Sequence, residues 1–160
     1  PDFVGVPVTA YGGDDGQELS GLQLAPDGRY ALFARGGAPN RSGWTPTPAQ
    51  DSDGAERALW WVDADGGDDP VHLGSGGSPA LSPDGNRLYF LSTRPDGDEE
   101  PGDQDIWYVD RLENGEWGTP VNPGAPVNTD GGEFFPSVTH NGTLYFTRNP
   151  AGRVAVILAT

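Results

Sequence analysis

The sequence contains no cysteine, no methionine and no lysine. Without cysteine the chain forms no disulfide bond and offers neither a thiol nucleophile nor a cysteine-based zinc site. No apolar run approaches the roughly 18 residues of a transmembrane helix, and no basic segment followed by an apolar core marks a signal peptide. We therefore expect no membrane insertion. The absence of methionine, even at position 1, indicates a processed chain or a piece of a larger protein.

Positive charge is scarce. Nine arginines stand against 24 acidic residues, which gives a formal net charge of −15 at pH 7. Binding to a nucleic-acid backbone or to an anionic membrane needs a basic face that neutralises phosphates. The composition therefore argues against a nucleic-acid partner and favours cations or basic proteins.

Glycine and proline are abundant, with 25 and 16 residues. Together with the high net charge, this is typical either of an acidic disordered segment or of a β protein rich in turns. The 5 Trp, 5 Tyr and 6 Phe are more than a disordered acidic segment usually carries. The distribution of these residues along the chain decides between the two classes.

A repeat organises that distribution. Residues 25–33 (APDGRYALF) recur as residues 82–90 (SPDGNRLYF) and, more weakly, as residues 139–146 (THNGTLYF). The turn glycines Gly28, Gly85 and Gly142 follow one another at intervals of 57 residues, and the same interval separates Pro79 from Pro136. Two registers with one period indicate a recurring structural unit.

Each repeat predicts a set of short antiparallel strands. A turn of the Pro-Asp-Gly or His-Asn-Gly type joins the first strand to an aromatic second strand. Second strands are predicted at 30–33, 88–91 and 144–147, third strands at 58–63, 105–110 and 153–159, and fourth strands at 70–74 and 117–122. No segment shows a sustained helical period. The sequence thus predicts an all-β fold, a β-propeller of four-stranded antiparallel blades with three blades in this chain.

Particular segments resemble known propellers. The segment 82–90 followed by 105–110 (DIWYVD) resembles the WD-like repeat of TolB-type β-propellers, and residues 117–146 are similar to blades of bacterial envelope proteins. Residues 35–41 (RGGAPNR) resemble the propeller domain of prolyl-oligopeptidase-type peptidases. The resemblance implies a propeller in a periplasmic or extracellular setting. It does not specify an activity, because propellers carry many unrelated functions.

The repeats predict one unit over residues 1–160. The repeats span about 20–74, 78–122 and 134–160, and a strand at 6–11 (VPVTAY) is expected to complete the last of them. Three blades are fewer than the usual four to eight. We therefore expect either half of a six-bladed ring, completed by a second copy or by further sequence, or an assembly formed by strand exchange.

Acidic loops are the candidate metal sites. Residues 51–56, 63–69 and 96–105 alternate carboxylates with glycine or small residues. Calcium prefers several oxygen ligands on such a loop. The third loop predicts a calcium site with the ligands Asp96, Asp98, Glu100, Asp103 and Asp105. The alternative is that these loops are solvated acidic turns.

The long insertion 36–55 is the candidate binding surface. Long insertions between strands often serve binding. Trp44, with Asn40 and Arg41 nearby, is predicted to contact a carbohydrate or a protein, the alternative being that Trp44 packs over its own blade. Trp60, Trp61 and Trp107 lie on third strands and are predicted to pack between blades.

Three functional hypotheses follow. The first is a non-enzymatic scaffold that binds another protein or another copy of itself. The second is the non-catalytic propeller of an oligopeptidase-like hydrolase whose catalytic domain lies elsewhere. The third is a calcium-dependent carbohydrate-binding propeller. No Gly-x-Ser-x-Gly segment is present, and the histidines, His72 and His140, are assigned to a strand and a turn, so no catalytic residue is predicted.

Overall fold

The computed structural model describes residues 19–35, 38–39, 56–64, 71–94, 103–149 and 155–159. Within these residues the chain forms eleven β-strands and no helix. The strands are β1 (Leu19–Leu24), β2 (Tyr30–Arg35), β3 (Ala38–Pro39), β4 (Glu56–Asp63), β5 (Val71–Ser75), β6 (Gly77–Leu81), β7 (Arg87–Ser92), β8 (Asp105–Asp110), β9 (Glu133–Val138), β10 (Leu144–Arg148) and β11 (Ala155–Ala159). The predicted all-β fold is confirmed for this part of the chain.

The strands form three sheets, each built from one repeat. Sheet 1 contains β1, β2, β4 and β5 as antiparallel neighbours in chain order, with the short β3 parallel to β4. Sheet 2 is β6-β7-β8 and sheet 3 is β9-β10-β11, both antiparallel. The first strand of every repeat therefore lies at the edge of its sheet. All four strands predicted for the first repeat are confirmed, whereas β3 was not predicted.

The first two strands of each sheet are joined by the predicted glycine turn. Gly28, Gly85 and Gly142 have φ values of 70°, 74° and 85°, a region that glycine enters without steric cost. Each glycine N–H donates a hydrogen bond of 2.8–2.9 Å to the carbonyl three residues earlier. The turn residues thus fix where each hairpin reverses.

A bulge recurs in every first strand. Gly21, Ser78 and Phe135 lie 57 residues apart and have φ values of 63°, 47° and 53°. At each of them the pairing with the second strand shifts register. A bulge bends the strand and increases its twist. The first strands of the three sheets therefore share the same local distortion.

The fourth strand of the second repeat is reduced. In the predicted segment 117–122 the structure shows two isolated bridges, from Trp117 to Arg111 and from Val121 to Tyr108. Pro120 and Pro123 flank Val121 and have no N–H to donate, so the pairing does not extend into a ladder. The expected strand is thus replaced by a loop that touches β8 at two points.

Sheet 2 packs between sheets 1 and 3. One buried cluster joins sheet 1 to sheet 2, and another joins sheet 2 to sheet 3. The first includes Leu32, Leu59, Leu88, Phe90, Trp107 and Val109, and the second includes Leu91, Ile106, Leu144 and Phe146. Trp107 lies in the first cluster and Trp61 packs against it, as predicted for aromatic rings between neighbouring sheets. Trp60 instead lies in a separate buried cluster on the other face of sheet 1.

The sheets stack in one direction. Phe90 faces sheet 1 and its equivalent Phe146 faces sheet 2, so we call the faces that carry Phe33, Phe90 and Phe146 the backward faces. The opposite faces carry Leu32, Tyr89 and Tyr145, and we call them the forward faces. Inside the chain a forward face always meets a backward face. The first strands also lie next to one another, since β6 contacts both β1 and β9.

Candidate interaction surfaces

Most of the predicted site residues lie outside the described part of the chain. These are Asn40, Arg41 and Trp44 of the insertion, and Asp96, Asp98 and Glu100 of the third acidic loop. The binding and calcium assignments for them stay predictions. The side chain of His72 is likewise not described, although its backbone pairs with Trp60 in sheet 1.

The last two predicted calcium ligands are described. Asp103 is exposed, while Asp105 begins β8 and is half-buried. The Asn122 side-chain amide donates a hydrogen bond of 3.2 Å to Oδ2 of Asp105. Within the described residues no three acidic or histidine side chains converge as a metal-binding group. Asp105 thus has a partner in the loop that follows β8.

That loop is held by Asn128, which is buried. Its Oδ1 accepts a hydrogen bond of 3.0 Å from the N–H of Ile106, and its Nδ2 donates one of 2.8 Å to the carbonyl of the same residue. Nδ2 also donates to Oδ1 of Asn122. The amide of one side chain thereby takes the place of a strand residue beside β8, next to the point where the fourth strand is missing.

A buried ion pair fixes the loop to sheet 3. Glu133 is fully buried, and its carboxylate accepts hydrogen bonds from Nε of Arg148 and from the hydroxyl of Thr129, both at 2.8 Å. Arg148 also donates to the carbonyls of Pro126 and Val127. Each charge is therefore met by several partners, as a buried pair requires. The role we assign to this ion pair is structural, namely to hold the loop against sheet 3.

A buried arginine lies between sheets 1 and 2. Arg94 donates from Nε to the Ser92 hydroxyl at 2.9 Å and from a terminal nitrogen to the Ser75 carbonyl at 2.6 Å. Its guanidinium also lies over the rings of Phe90 and Trp107. Burial lowers the pKa of Arg94 to about 10, which leaves it charged at neutral pH. Ser92 and Ser75 are buried with it and are not placed as surface nucleophiles.

The turn end of sheet 2 forms a polar groove of about 400 Å³. Its lining is Ser82, Asp84, Asn86, Arg87, Tyr89, Asp110 and Arg111. Arg87 binds Asp110 through two hydrogen bonds, of 2.6 and 2.9 Å, and lies 4.1 Å from the centre of the Tyr108 ring. The bond to Asp110 raises the pKa of Arg87 above its ordinary value. Hydrogen bonds from the Ser82 hydroxyl and the Asn86 N–H lower the pKa of Asp84. The groove thus presents charges that are already oriented.

Sheet 1 carries an equivalent groove. It also measures about 400 Å³ and is lined by Gly28, Arg29, Asp63 and Ala64, the repeat equivalents of Gly85, Asn86, Asp110 and Arg111. In both sheets a backbone hydrogen bond of 2.8 Å joins the end of the third strand to the turn. The groove is therefore a feature of the repeat. We call the two grooves together the turn-side surface.

One contact between sheets 1 and 2 links the neighbourhoods of the two grooves. Arg111 lies over the rings of Tyr30 and Trp117 and donates a long hydrogen bond of 3.4 Å to the Tyr30 hydroxyl. Tyr30 also packs edge-on against Trp61, with 5.8 Å between ring centres. Burial raises the pKa of Tyr30, and Arg111 partly offsets this effect. Arg111 of the sheet 2 groove thus contacts Tyr30, the residue that follows Arg29 of the sheet 1 groove.

Several large apolar side chains are exposed. Leu22 and Leu24 on β1 are 60% and 69% exposed, and Phe135 on β9 is 69% exposed. Tyr145 on the forward face of sheet 3 is 39% exposed. Exposed apolar groups on sheet edges and faces often belong to contact surfaces. None of these positions was singled out from the sequence as a binding residue.

No protein-family model and no curated protein matches this chain. Among the described residues there is no apolar helix of membrane-spanning length.

Proposed function

We propose that the chain is a β-propeller unit with one blade per sheet, and that it acts as a non-enzymatic scaffold that binds another protein in an envelope or extracellular setting. The observation that carries this proposal is the arrangement of the three sheets. They stack forward face on backward face, and their first strands β1, β6 and β9 are neighbours in series. In a propeller, blades packed face to face surround an axis lined by their first strands.

The turn-side surface supports a binding role. It places a groove at equivalent positions of two neighbouring sheets, and in sheet 2 two hydrogen bonds hold the Arg87 guanidinium and the Asp110 carboxylate in place. Arginine and tyrosine are enriched where proteins bind one another, and groups that are already oriented lose less entropy on binding. The net charge of −15 favours a partner with a basic surface.

Site-specific crosslinking tests this function. Because the chain has no cysteine, Asp84→Cys creates a single attachment point for a photoreactive group in the turn-side surface. Asn149→Cys is the matched control, since Asn149 is also exposed but follows β10 at its far end from the turns. We expect the label at position 84 to crosslink one defined protein from an envelope extract, and the label at position 149 to crosslink it much less.

Two results would contradict the proposal. Equal crosslinking from both positions would show that the turn-side surface is not the binding site. A non-enzymatic role would be contradicted by a hydrolytic activity that purifies with the chain and is lost when an exposed polar residue is substituted, as in His140→Ala. His140 is exposed in the third glycine turn, so its replacement is not expected to disturb the core.

A further inference from the structure

The ends of the three-sheet stack expose positions that are covered inside it. Leu24 on β1 is 69% exposed, whereas its equivalent Leu81 is 9% exposed in the cluster between sheets 1 and 2. The third equivalent, Val138, is half-buried against sheet 2. Sheets 2 and 3 thus cover this position with the preceding sheet. The described part of the chain contains no sheet that does the same for Leu24.

Leu22 shows the same contrast. It lies beside the bulge of β1 and is 60% exposed, while its equivalents Pro79 and Pro136 are buried. The middle of the backward face of sheet 1 is buried, with Phe33 and Trp60 at 2% and 8% exposure. The open apolar part of this face is therefore its first-strand edge, which we call the β1 edge (Leu22 and Leu24).

The opposite end of the stack is open on the complementary face. Leu32 on the forward face of sheet 1 is fully buried by sheet 2, and Tyr89 on the forward face of sheet 2 is half-buried against sheet 3. Their equivalent on sheet 3, Tyr145, is 39% exposed. Inside the chain each forward face packs against a backward face. The exposed forward face of sheet 3 and the β1 edge, which belongs to the backward face of sheet 1, are therefore surfaces of complementary type.

We propose that the occupant of both surfaces is a second copy of this chain, with the β1 edge of each copy against the forward face of sheet 3 of the other. This inference rests on the proposed propeller unit. Two copies related by a two-fold axis would make both contacts at once, because residue 24 of one copy meets residue 145 of the other and the reverse. The product has six sheets, a number within the usual range for propellers, whereas three is below it. The contact on sheet 1 is limited to the β1 edge, because the middle of its backward face is already buried within one chain.

Charge gives the assembly a distinctive salt dependence. Each copy carries a formal charge of −15, so the copies repel one another, while the proposed contact is apolar. Salt screens the repulsion and leaves apolar burial largely intact. Dimerisation is therefore strengthened by added salt, in contrast to an assembly held by ion pairs.

The test is the mass of the purified chain in solution, measured by light scattering after size exclusion across a wide range of concentration. We expect the wild type to form a dimer that dissociates on dilution, more readily at low salt. Leu24→Glu and Tyr145→Glu are each expected to give a monomer whose circular dichroism matches that of the wild type. Leu112→Glu is the matched control, since Leu112 is 49% exposed but lies in the turn after β8, and it is expected to remain dimeric.

Several results would overturn the dimer. A wild type that stays monomeric at all concentrations, polymers instead of dimers, or a Tyr145→Glu variant that still dimerises would each do so. Should Leu24→Glu fail to fold, Leu22→Ser on the same edge replaces it. A monomer that unfolds in a single cooperative transition would contradict the dimer. It would leave the proposed propeller unit standing, because cooperative unfolding means that the three sheets are packed on one another. Independent unfolding of the sheets would instead refute the propeller unit itself.

Discussion

Arg148 and Glu133 form an ion pair of 2.8 Å in which the carboxylate is fully buried and the guanidinium side chain is 16% exposed. Removing one member of such a pair leaves an uncompensated charge in the interior, which typically costs about 3–5 kcal/mol. We expect Arg148→Met to lower the free energy of unfolding by an amount in that range. Urea denaturation followed by tryptophan fluorescence measures it.

The matched control for this substitution is Arg87→Met. Arg87 and Asp110 make an even shorter contact, of 2.6 Å, but their side chains are 40% and 51% exposed. Exposed pairs typically contribute about 0–1 kcal/mol, so the control should lose little stability. Equal losses in the two variants would show that burial does not decide the strength of these pairs.

We expect the side chain of Asn128 to contribute to the free energy of unfolding as a hydrogen-bonded strand residue does. Asn128→Ala removes the partners of both polar backbone groups of Ile106, and each unsatisfied buried group costs about 1–3 kcal/mol. We expect a loss of about 2–4 kcal/mol, taking the partial access of water into account. Asn128→Asp provides a sharper test. Its ionised carboxylate accepts from the Ile106 N–H but repels the carbonyl, so stability should rise as the pH falls and the group is protonated. An Asn128→Asp variant with no such recovery would contradict this role.

Phe135 is held in a left-handed conformation, with φ of 53°, although its side chain is 69% exposed. Asparagine tolerates this conformation better than phenylalanine does. We expect Phe135→Asn to raise the free energy of unfolding by about 0.5–1 kcal/mol, since strain is relieved and little packing is lost. The neighbouring Phe134 packs against the cluster between sheets 2 and 3, so Phe134→Asn should instead destabilise by about 1–3 kcal/mol. Denaturant unfolding measures the free energy of unfolding of both variants. A lower free energy of unfolding in both would contradict the prediction that Phe135 is strained.

Tyr30 predicts a stability change at alkaline pH. Burial raises its pKa above the ordinary value of 10.0. A raised pKa means that the folded state holds the proton more tightly, so this stabilisation is complete below pH 10 and is lost as the pH rises through the pKa of the folded state. In an absorbance titration of tyrosinate we expect a late phase that Tyr30→Phe removes. The variant should also lose less stability than the wild type above pH 10. A titration unchanged by Tyr30→Phe would refute the assignment.

Much of the fold was predictable because it depends on local chemistry. The glycine turns and the aromatic second strands are visible as a 57-residue period, and the structure confirms the hairpins at those positions. The sequence predicts a complete fourth strand at 117–122, but Pro120 and Pro123 limit the pairing to isolated bridges. Asn128 then supplies pairing through a side chain, which no strand pattern reveals.

The candidate surfaces were harder to predict. The turn-side surface depends on Asp63 and Asp110 lying opposite Tyr30 and Arg87, the first residues of β2 and β7, a pairing set by strand register rather than by sequence spacing. The sequence contains one signal, since the third strands of sheets 1 and 2 end in aspartate at equivalent positions. The exposure of Leu24 and Tyr145 had no such signal, because equivalent residues in the other sheets are covered. An exposed residue differs from its covered equivalents only in the position of its sheet within the stack.

The recurring bulge has a consequence for how such a chain changes length. Gly21, Ser78 and Phe135 show that three different residue types adopt the same left-handed backbone conformation, so this conformation belongs to the repeat and not to any one residue. Each sheet also presents one face of each kind. Adding or deleting a whole repeat would therefore leave the same two faces at the ends of the stack. Duplication of a single 57-residue segment could then alter the number of sheets in one genetic step without a new interface having to arise.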